Sequence, residues 1–245
     1  MIQVGCKPVA IIPRFFSRPI DCALKMKKLF SMIFAALVSL GTSAMAQDLK
    51  GDAKAGEGIN AMCIGCHGIK GYQASFPEVY RVPMISGQSA KYIVSALNAY
   101  KKGERKHPTM RGISESLTDQ NIADLAAYYS EHGLPEGKSA APKDPKAPTA
   151  QVTALLAKAN CASCHGANFS SPIDPSYPKI AGQHADYLFV TLKGYKAGAH
   201  HVVGRDNAIM AGMAKQYTNA ELKQLANYLA SLEGDMKVVP QSRFR

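Results

Sequence analysis

The chain of 245 residues lacks an apolar run long enough to cross a bilayer as a helix. Its main apolar stretch extends only from Leu29 to Leu40, whereas a spanning helix needs roughly 20 apolar residues. Lys27 and Lys28 precede this stretch, and Ala44-Met45-Ala46 follows it. Basic residues, a short apolar run and a small-x-small site are typical of a secretory signal. We therefore expect residues 1–46 to be a signal peptide that is cleaved after Ala46.

The sequence also has few cysteines, six in all, and two of them precede the predicted cleavage site. Residues 1–25 lie upstream of a signal that is complete from its own Met26. We interpret them as a misassigned translation start, and the alternative is a longer leader that is removed with the rest. In both cases Cys6 and Cys22 are absent from the mature protein, which keeps four cysteines.

The mature chain has little excess charge of either sign. The net charge of the whole sequence is +11, but the leader holds six basic residues and one acidic residue. The leader therefore accounts for five of these charges, and +6 remains over 199 residues. Because so much of the basic character belongs to the leader, charge gives no support for a nucleic-acid partner.

The four remaining cysteines form two Cys-x-x-Cys pairs, Cys63 with Cys66 and Cys161 with Cys164, and a histidine follows each pair, His67 or His165. Cys-x-x-Cys alone is compatible with a disulfide or half of a zinc site. Cys-x-x-Cys-His is the attachment pattern of covalent c-type haem. The two thiols form thioethers with the haem vinyl groups, and the histidine reaches the iron. We therefore expect two haem c groups and, since bacteria attach haem c outside the cytoplasm, a periplasmic protein.

The sequence contains an internal repeat. Four segments recur in the same order: Cys63–Gly68 with Cys161–Gly166, Pro83–Gln88 with Pro178–Gln183, Tyr92–Leu97 with Tyr187–Leu192, and Thr118–Tyr129 with Thr218–Leu229. A segment rich in proline, lysine and alanine separates the halves, and such composition favours an extended linker. The repeat predicts an N-terminal domain at 47–136, a linker at 137–150 and a C-terminal domain at 151–245.

Both halves have helical periodicity, and no stretch alternates clearly enough to predict a strand, so we predict an all-α fold. The predicted helices are 52–62, 89–102 with Ser89 as its cap, and one from Thr118 with its equivalent from Thr218. Thr218 and Glu221 have the spacing of a capping box.

A haem iron with one histidine needs a sixth ligand, and methionine sulfur gives the saturated iron of an electron carrier. In the first half the candidates are Met84 and Met110. Lys179 replaces Met84 in the repeat, whereas Met210 is equivalent to Met110, so we predict Met110, in a loop ahead of the last helix. In the second half Met213 also lies nearby, but the repeat favours Met210.

For several other residues the sequence leaves two roles open. His200 and His201 lie in an insertion of the second half and are rival iron ligands or exposed residues; His107, His132 and His184 are expected at the surface or at helix ends. The carbonyls of Pro83 and Pro178 either accept from the ligating histidines or only form turns. Gln88, Gln183, Tyr92 and Tyr187 either reach haem propionates or only pack. The basic run 101–106 is either a solvated helix end or a guide for an acidic redox partner.

These motifs together resemble the cytochrome c4 family of periplasmic dihaem proteins, over nearly the whole mature chain. The resemblance implies two tandem class I cytochrome c domains related by a pseudo-twofold axis, with their haems close through the propionate edges. It implies thioether links at Cys63, Cys66, Cys161 and Cys164, and axial ligands at His67, Met110, His165 and Met210. The insertion that contains His200 is a departure from the pattern.

The resemblance also implies a function. Family members pass electrons from a quinol-oxidising complex (quinol–cytochrome c reductase) towards haem–copper oxidases, often while loosely attached to the membrane. We therefore predict an electron-transfer protein rather than an enzyme. The alternatives are a dihaem peroxidase or sulfur-compound oxidoreductase, which needs an open iron, and the electron-accepting subunit of a periplasmic dehydrogenase.

Overall fold

A computed structural model of the chain describes residues 49–135, 146–198, 200 and 202–240. These residues belong to one compact unit that begins at residue 48. The predicted signal peptide and its cleavage site, Cys6 and Cys22, residues 136–145 of the predicted linker, and His201 lie outside the described residues. Within the described ranges, no helix is both long and apolar enough to span a membrane.

Each half of the described chain consists of five helices. In the first half they are α1 (Ala53–Ile59), α2 (Ala61–His67), α3 (Ala90–Lys102), α4 (Pro108–Glu115) and α5 (Asp119–Glu131). In the second half they are α6 (Ala150–Lys158), α7 (Ala162–His165), α8 (Ala185–Ala197), α9 (Ala208–Ala214) and α10 (Asn219–Ala230). The helical prediction is confirmed for both halves. The predicted helix 52–62 is interrupted at Asn60, which ends α1 and begins α2.

The core of the first half lies between α1, α3 and α5. The inward face of α5 supplies Ile122, Leu125, Ala126 and Tyr129, which the 3.6-residue period selects and which are all buried. Helix α1 crosses α5 at close range, because a Cβ atom on Gly56 would lie 2.2 Å from the backbone oxygen of Asp124. Only a glycine fits at this crossing.

The core of the second half repeats this arrangement with α8 and α10. Leu222, Leu225 and Leu229 of α10 are buried, as the helical period predicts. Leu222 and Leu225 pack with Leu155 of α6, whereas Leu229 packs with Phe169 and Leu188. Thr149 accepts the amide N–H of Val152 at 3.3 Å and is the N-cap of α6, which begins at Ala150, the last residue of the predicted linker.

The start of the last helix in each half is fixed by a capping box. Thr218 and Glu221 form the predicted one, and Thr118 with Asn121 forms a second that the sequence pattern did not identify, since Asn replaces the usual Glu or Gln. Ser89 occupies the N-cap position of α3, but its hydroxyl makes no capping hydrogen bond. It donates instead to the carbonyl of Pro175 in the other half.

The expectation that no strand forms is wrong in detail, because two antiparallel pairs of two-residue strands are present. Strand β1 (Gln73–Ala74) pairs with β2 (Tyr80–Arg81), and β3 (Arg105–Lys106) pairs with β4 (Gly204–Arg205). Two residues are too short for an alternating pattern, and the second pair joins the two halves. The fold remains dominated by helices, so the predicted all-α class with two domains of one kind is confirmed.

Candidate haem sites

Each Cys-x-x-Cys-His motif lies on a short helix that ends at its histidine. Cys63, Cys66 and His67 belong to α2, while Cys161 precedes α7 and Cys164 and His165 belong to it. Residues three apart lie on one side of a helix, so the two thiols of a motif face the same neighbour. All four cysteines are free thiols of intermediate exposure. Burial raises the pKa of the Cys63 thiol to about 11.

The glycine after each histidine is required by close packing. A Cβ atom on Gly166 would lie 2.1 Å from the carbonyl oxygen of Ser171, and the φ angle of this glycine is +79°. A Cβ atom on Gly68 would lie 2.7 Å from a side-chain carbon of Ile64. Of these two glycines, only Gly166 lies in the left-handed region of φ, but a larger residue does not fit at either position.

Both motif histidines are oriented by a proline carbonyl. His67 donates its Nδ1–H to the carbonyl oxygen of Pro83 at 2.7 Å, and His165 does the same to Pro178 at 3.0 Å. A carbonyl only accepts, so the proton lies on Nδ1 and the lone pair lies on Nε2, the tautomer that binds a metal through Nε2. Burial lowers the pKa of both rings, which favours neutral imidazole. Of the two interpretations of these prolines, the structure selects the carbonyl acceptor.

The two predicted methionines occupy equivalent places, but on helices rather than in loops. Met110 lies in the first turn of α4, where the His107 ring accepts its amide N–H at 3.4 Å. Met210 lies in the first turn of α9, where the Asn207 side chain accepts its amide N–H at 2.9 Å. A capping side chain thus sets the position of each methionine relative to its helix start.

The rival ligands differ from these methionines in their surroundings. Met210 is half-buried, whereas Met213 keeps 36% of its surface exposed. The His200 side chain is exposed. Met84 lies directly after Pro83, and both its amide N–H and its carbonyl bind Gln183.

The other histidines lie at helix ends, as expected. His107 is the N-cap of α4, and His184 precedes α8 without a side-chain capping bond. His132 ends α5, where its Nδ1 lies 2.9 Å from the Ser86 hydroxyl and its ring stacks on Tyr128.

A cluster of arginine and tyrosine side chains joins the two halves beside these sites. Arg105 and Arg205 are directly opposite each other in the β3–β4 pair. Arg105 donates to the hydroxyls of Tyr92 at 3.2 Å and Tyr187 at 3.3 Å, and Arg205 donates to Tyr187 at 3.0 Å. Among the described residues, the buried Nε atom of Arg105 has no hydrogen-bond partner. The cluster therefore has unused capacity for an anionic group.

The basic run is a solvated helix end only in part: Lys101 and Lys102 end α3 and Lys102 is exposed, but Lys101 and Arg105 make specific contacts. Lys101 donates to the carbonyl of Leu117 at 2.9 Å, and the Arg105 guanidinium lies within the tyrosine cluster. The sequence left open whether Tyr92 and Tyr187 reach haem propionates or only pack, and it did not identify Arg105 and Arg205 as their partners. The pairing of β3 with β4 connects residues 100 positions apart, so no local pattern signals it.

The residues present fit a haem better than a bare metal ion. The described part of the chain has no group of three or more His, Cys, Asp or Glu side chains arranged to hold a metal. Each half instead has one histidine with a free Nε2, two neighbouring free thiols, and one methionine in the first turn of a capped helix. The unpaired Arg105 Nε suits a carboxylate such as a haem propionate.

Comparison with known proteins agrees with this chemistry. The family model of cytochrome c matches residues 53–131 and again residues 150–233. Cytochrome c4 of Azotobacter vinelandii is 31% identical over 211 residues, which cover 80% of this chain and 96% of that protein. The crystal structure of reduced recombinant cytochrome c4 from Pseudomonas stutzeri has a TM-score of 0.56 at 29% identity, over 75% of this chain and 100% of that one. A thiosulfate dehydrogenase electron acceptor of Thiomonas intermedia is 28% identical, over 70% of this chain and 78% of its own length.

The doubled match and the doubled motif lead to one conclusion. The two Cys-x-x-Cys-His motifs are two haem c attachment sites, one in each cytochrome c domain. The protein transfers electrons, and its partners are other redox proteins. The chain belongs to the cytochrome c4 family.

Proposed function

We propose that this dihaem cytochrome carries electrons through the periplasm, from a quinol-oxidising complex or a dehydrogenase towards a haem–copper terminal oxidase. In this proposal the axial ligand pairs are His67 with Met110 and His165 with Met210. The observation that supports it most is the doubled histidine geometry, with Nδ1–H bound to a carbonyl at 2.7 and 3.0 Å and Nε2 left for iron. A methionine on a capped helix accompanies each histidine.

The residues then have simple roles in electron transfer. Each haem, when bound, supplies an iron that gains one electron from a donor and returns it to an acceptor, so the protein holds two. Pro83 and Pro178 orient the histidine rings, and Met110 and Met210 would each supply the second protein ligand of one iron. Two protein ligands on each iron would change little between redox states and would leave no position for a substrate.

The cellular location forms part of the same proposal. Residues 1–46 act as the cleaved export signal, and the mature protein is periplasmic, where haem c is attached. Loose attachment to the membrane surface is compatible with this location and brings the carrier near its membrane-bound partners.

One relative favours a second candidate route. The Thiomonas intermedia protein is named as the electron acceptor of a thiosulfate dehydrogenase, so a periplasmic dehydrogenase is an alternative donor to the quinol-oxidising complex. Size-exclusion chromatography of the native protein separates the two. A diffusible carrier elutes as a monomer, whereas a dedicated acceptor subunit co-elutes with its dehydrogenase.

The proposal is tested by measuring reoxidation of the reduced protein by a redox partner, and turnover of small substrates by the protein alone. We expect the reduced protein to be reoxidised fully by membranes that contain a haem–copper oxidase, and reoxidation to stop when that oxidase is inhibited. With hydrogen peroxide or thiosulfate as the sole co-reactant, we expect no catalytic turnover. Sustained turnover of either compound by the isolated protein would show that an iron is open and would overturn the carrier function.

A further inference from the structure

Two glutamine side chains bridge the domains reciprocally. Gln183 accepts the amide N–H of Met84 at 3.0 Å and donates to the Met84 carbonyl at 2.9 Å. Gln88 accepts the amide N–H of Lys179 at 3.0 Å and donates to the Lys179 carbonyl at 2.9 Å. Because a carbonyl cannot donate, only one orientation of each side-chain amide satisfies both bonds. Only 5% of Gln88 and 4% of Gln183 is exposed, so water does not compete for these bonds.

Each glutamine binds a peptide group of the opposite domain. The carbonyl of that same peptide group accepts the hydrogen bond from the opposite domain's motif histidine. The carbonyl of Pro83 and the amide N–H of Met84 belong to one peptide. The carbonyl accepts His67 Nδ1–H at 2.7 Å, while the N–H donates to Gln183. The second domain has the same arrangement, in which the Pro178–Lys179 peptide joins His165 to Gln88.

The two chains of hydrogen bonds meet at a single methionine. Met236, which is 5% exposed, accepts from Gln88 Nε2 at 3.3 Å and from Gln183 Nε2 at 3.5 Å through its sulfur. Its neighbour Asp235 pairs with Lys179 at 2.7 Å. The C-terminal segment therefore holds both glutamines in place, and a continuous path of contacts runs from His67 to His165.

This path has a predictable electrostatic effect. An acceptor on a peptide N–H increases the negative charge on the carbonyl of the same peptide, because linked hydrogen bonds polarise one another. A more negative carbonyl makes the histidine bound to it a more basic ligand. A more basic axial ligand stabilises ferric iron over ferrous iron, which lowers the reduction potential.

We propose that Gln183 lowers the potential of haem 1, the group attached at Cys63 and Cys66, and that Gln88 lowers the potential of haem 2, attached at Cys161 and Cys164. Each glutamine thus tunes the haem of the opposite domain by acting on that haem's histidine through one peptide. Both are positioning residues, not ligands. The proposal rests on the proposed axial roles of His67 and His165.

The experiment measures both reduction potentials in Gln183→Met and Gln88→Met, which keep an unbranched side chain but remove the amide. The potentials are first assigned with Met110→His and Met210→His, since imidazole in place of thioether lowers the potential of the haem that it binds. We expect Q183M to raise the potential of haem 1 more than that of haem 2, and Q88M to do the reverse.

The matched control is Asp186→Asn, which breaks the interdomain ion pair with Arg81 but lies outside the path. In this variant we expect no selective shift in the reduction potential of one haem relative to the other. A shift that falls mainly on the haem of the glutamine's own domain, or equally on both haems, overturns the proposal. If Q183M fails to fold, Gln183→Asn gives the same test, because loss of one methylene withdraws the amide from Met84.

The weak methionine-to-iron absorption band at the red edge of the visible spectrum tests the proposed axial ligands separately from the tuning by the glutamines. If the band is absent in the unaltered protein, the proposed axial ligands are wrong. If the band is intact in Q183M and Q88M but neither variant raises the potential of the opposite domain's haem selectively, the axial ligands are correct and the tuning path is wrong.

Discussion

At the scale of single residues, the chemistry of the sites depends on side chains whose roles the doubled motif indicates directly. The cysteines and histidines are adjacent in sequence, so their grouping needs no knowledge of the fold. Pro83 and Pro178 lie 16 and 13 residues from their histidines, and the sequence left their role open. The interdomain bonds of Gln88 and Gln183 depend on how the halves pack, so the sequence could not distinguish them from contacts with propionates.

Met210 and Met213 give the first prediction at this scale. Replacement of Met210 by Ala is expected to remove about half of the methionine-to-iron band, because one of two thioether ligands is lost. Met213→Ala is the matched control and is expected to retain the whole band, since its side chain is more exposed. The opposite result, with loss of the band in M213A and not in M210A, would assign the second ligand to Met213.

At the scale of helices, local signals identified the longer helices, but they missed α4 and α9 and the contacts between the halves. The capping box of Thr218 and the buried faces of α5 and α10 follow from short-range patterns, and the structure has both. Ser89 has the sequence of a cap but binds Pro175 across the interface. The β3–β4 pair joins residues distant in sequence, so the two-residue strands could not be predicted.

The capping box predicts a measurable loss of stability. Thr218→Ala removes the acceptor of the Glu221 amide N–H, so we expect the free energy of unfolding to fall by about 1 kcal/mol in chemical denaturation. Thr218→Ser keeps the hydroxyl and is expected to lose much less. Equal losses in the two variants would show that packing of the threonine methyl group, and not the cap, provides the stability.

At the scale of the whole molecule, the C-terminal segment holds the domains together. Lys237 donates its amide N–H to the carbonyl of Ser86 at 3.0 Å, and Asp235 pairs with Lys179. A Cβ atom on Gly87 would lie 2.5 Å from the Asp235 carbonyl oxygen, so the segment lies directly against the first domain. The repeat indicated two domains, but it has no equivalent of this segment and did not predict how the domains are joined.

Removal of this segment is expected to uncouple the domains. A chain that ends after Gly234 loses these contacts together with Met236, so we expect one calorimetric unfolding transition to become two. A chain that ends after Pro240 keeps every described contact and is expected to unfold like the full protein. A single unchanged transition in the chain that ends after Gly234 would contradict this. It would show that the remaining interdomain contacts, such as Arg81 with Asp186, are sufficient to make the two domains unfold together.

The most direct test of two His/Met-ligated haems is the methionine-to-iron absorption band of the purified oxidised protein, measured per haem. Two haems with His/Met ligands predict the full intensity of two sites and an entirely low-spin spectrum. Half of that intensity, or a high-spin component, would mean that one iron is open or has two histidine ligands. That result would contradict the assignment of this protein as a carrier with two saturated haems.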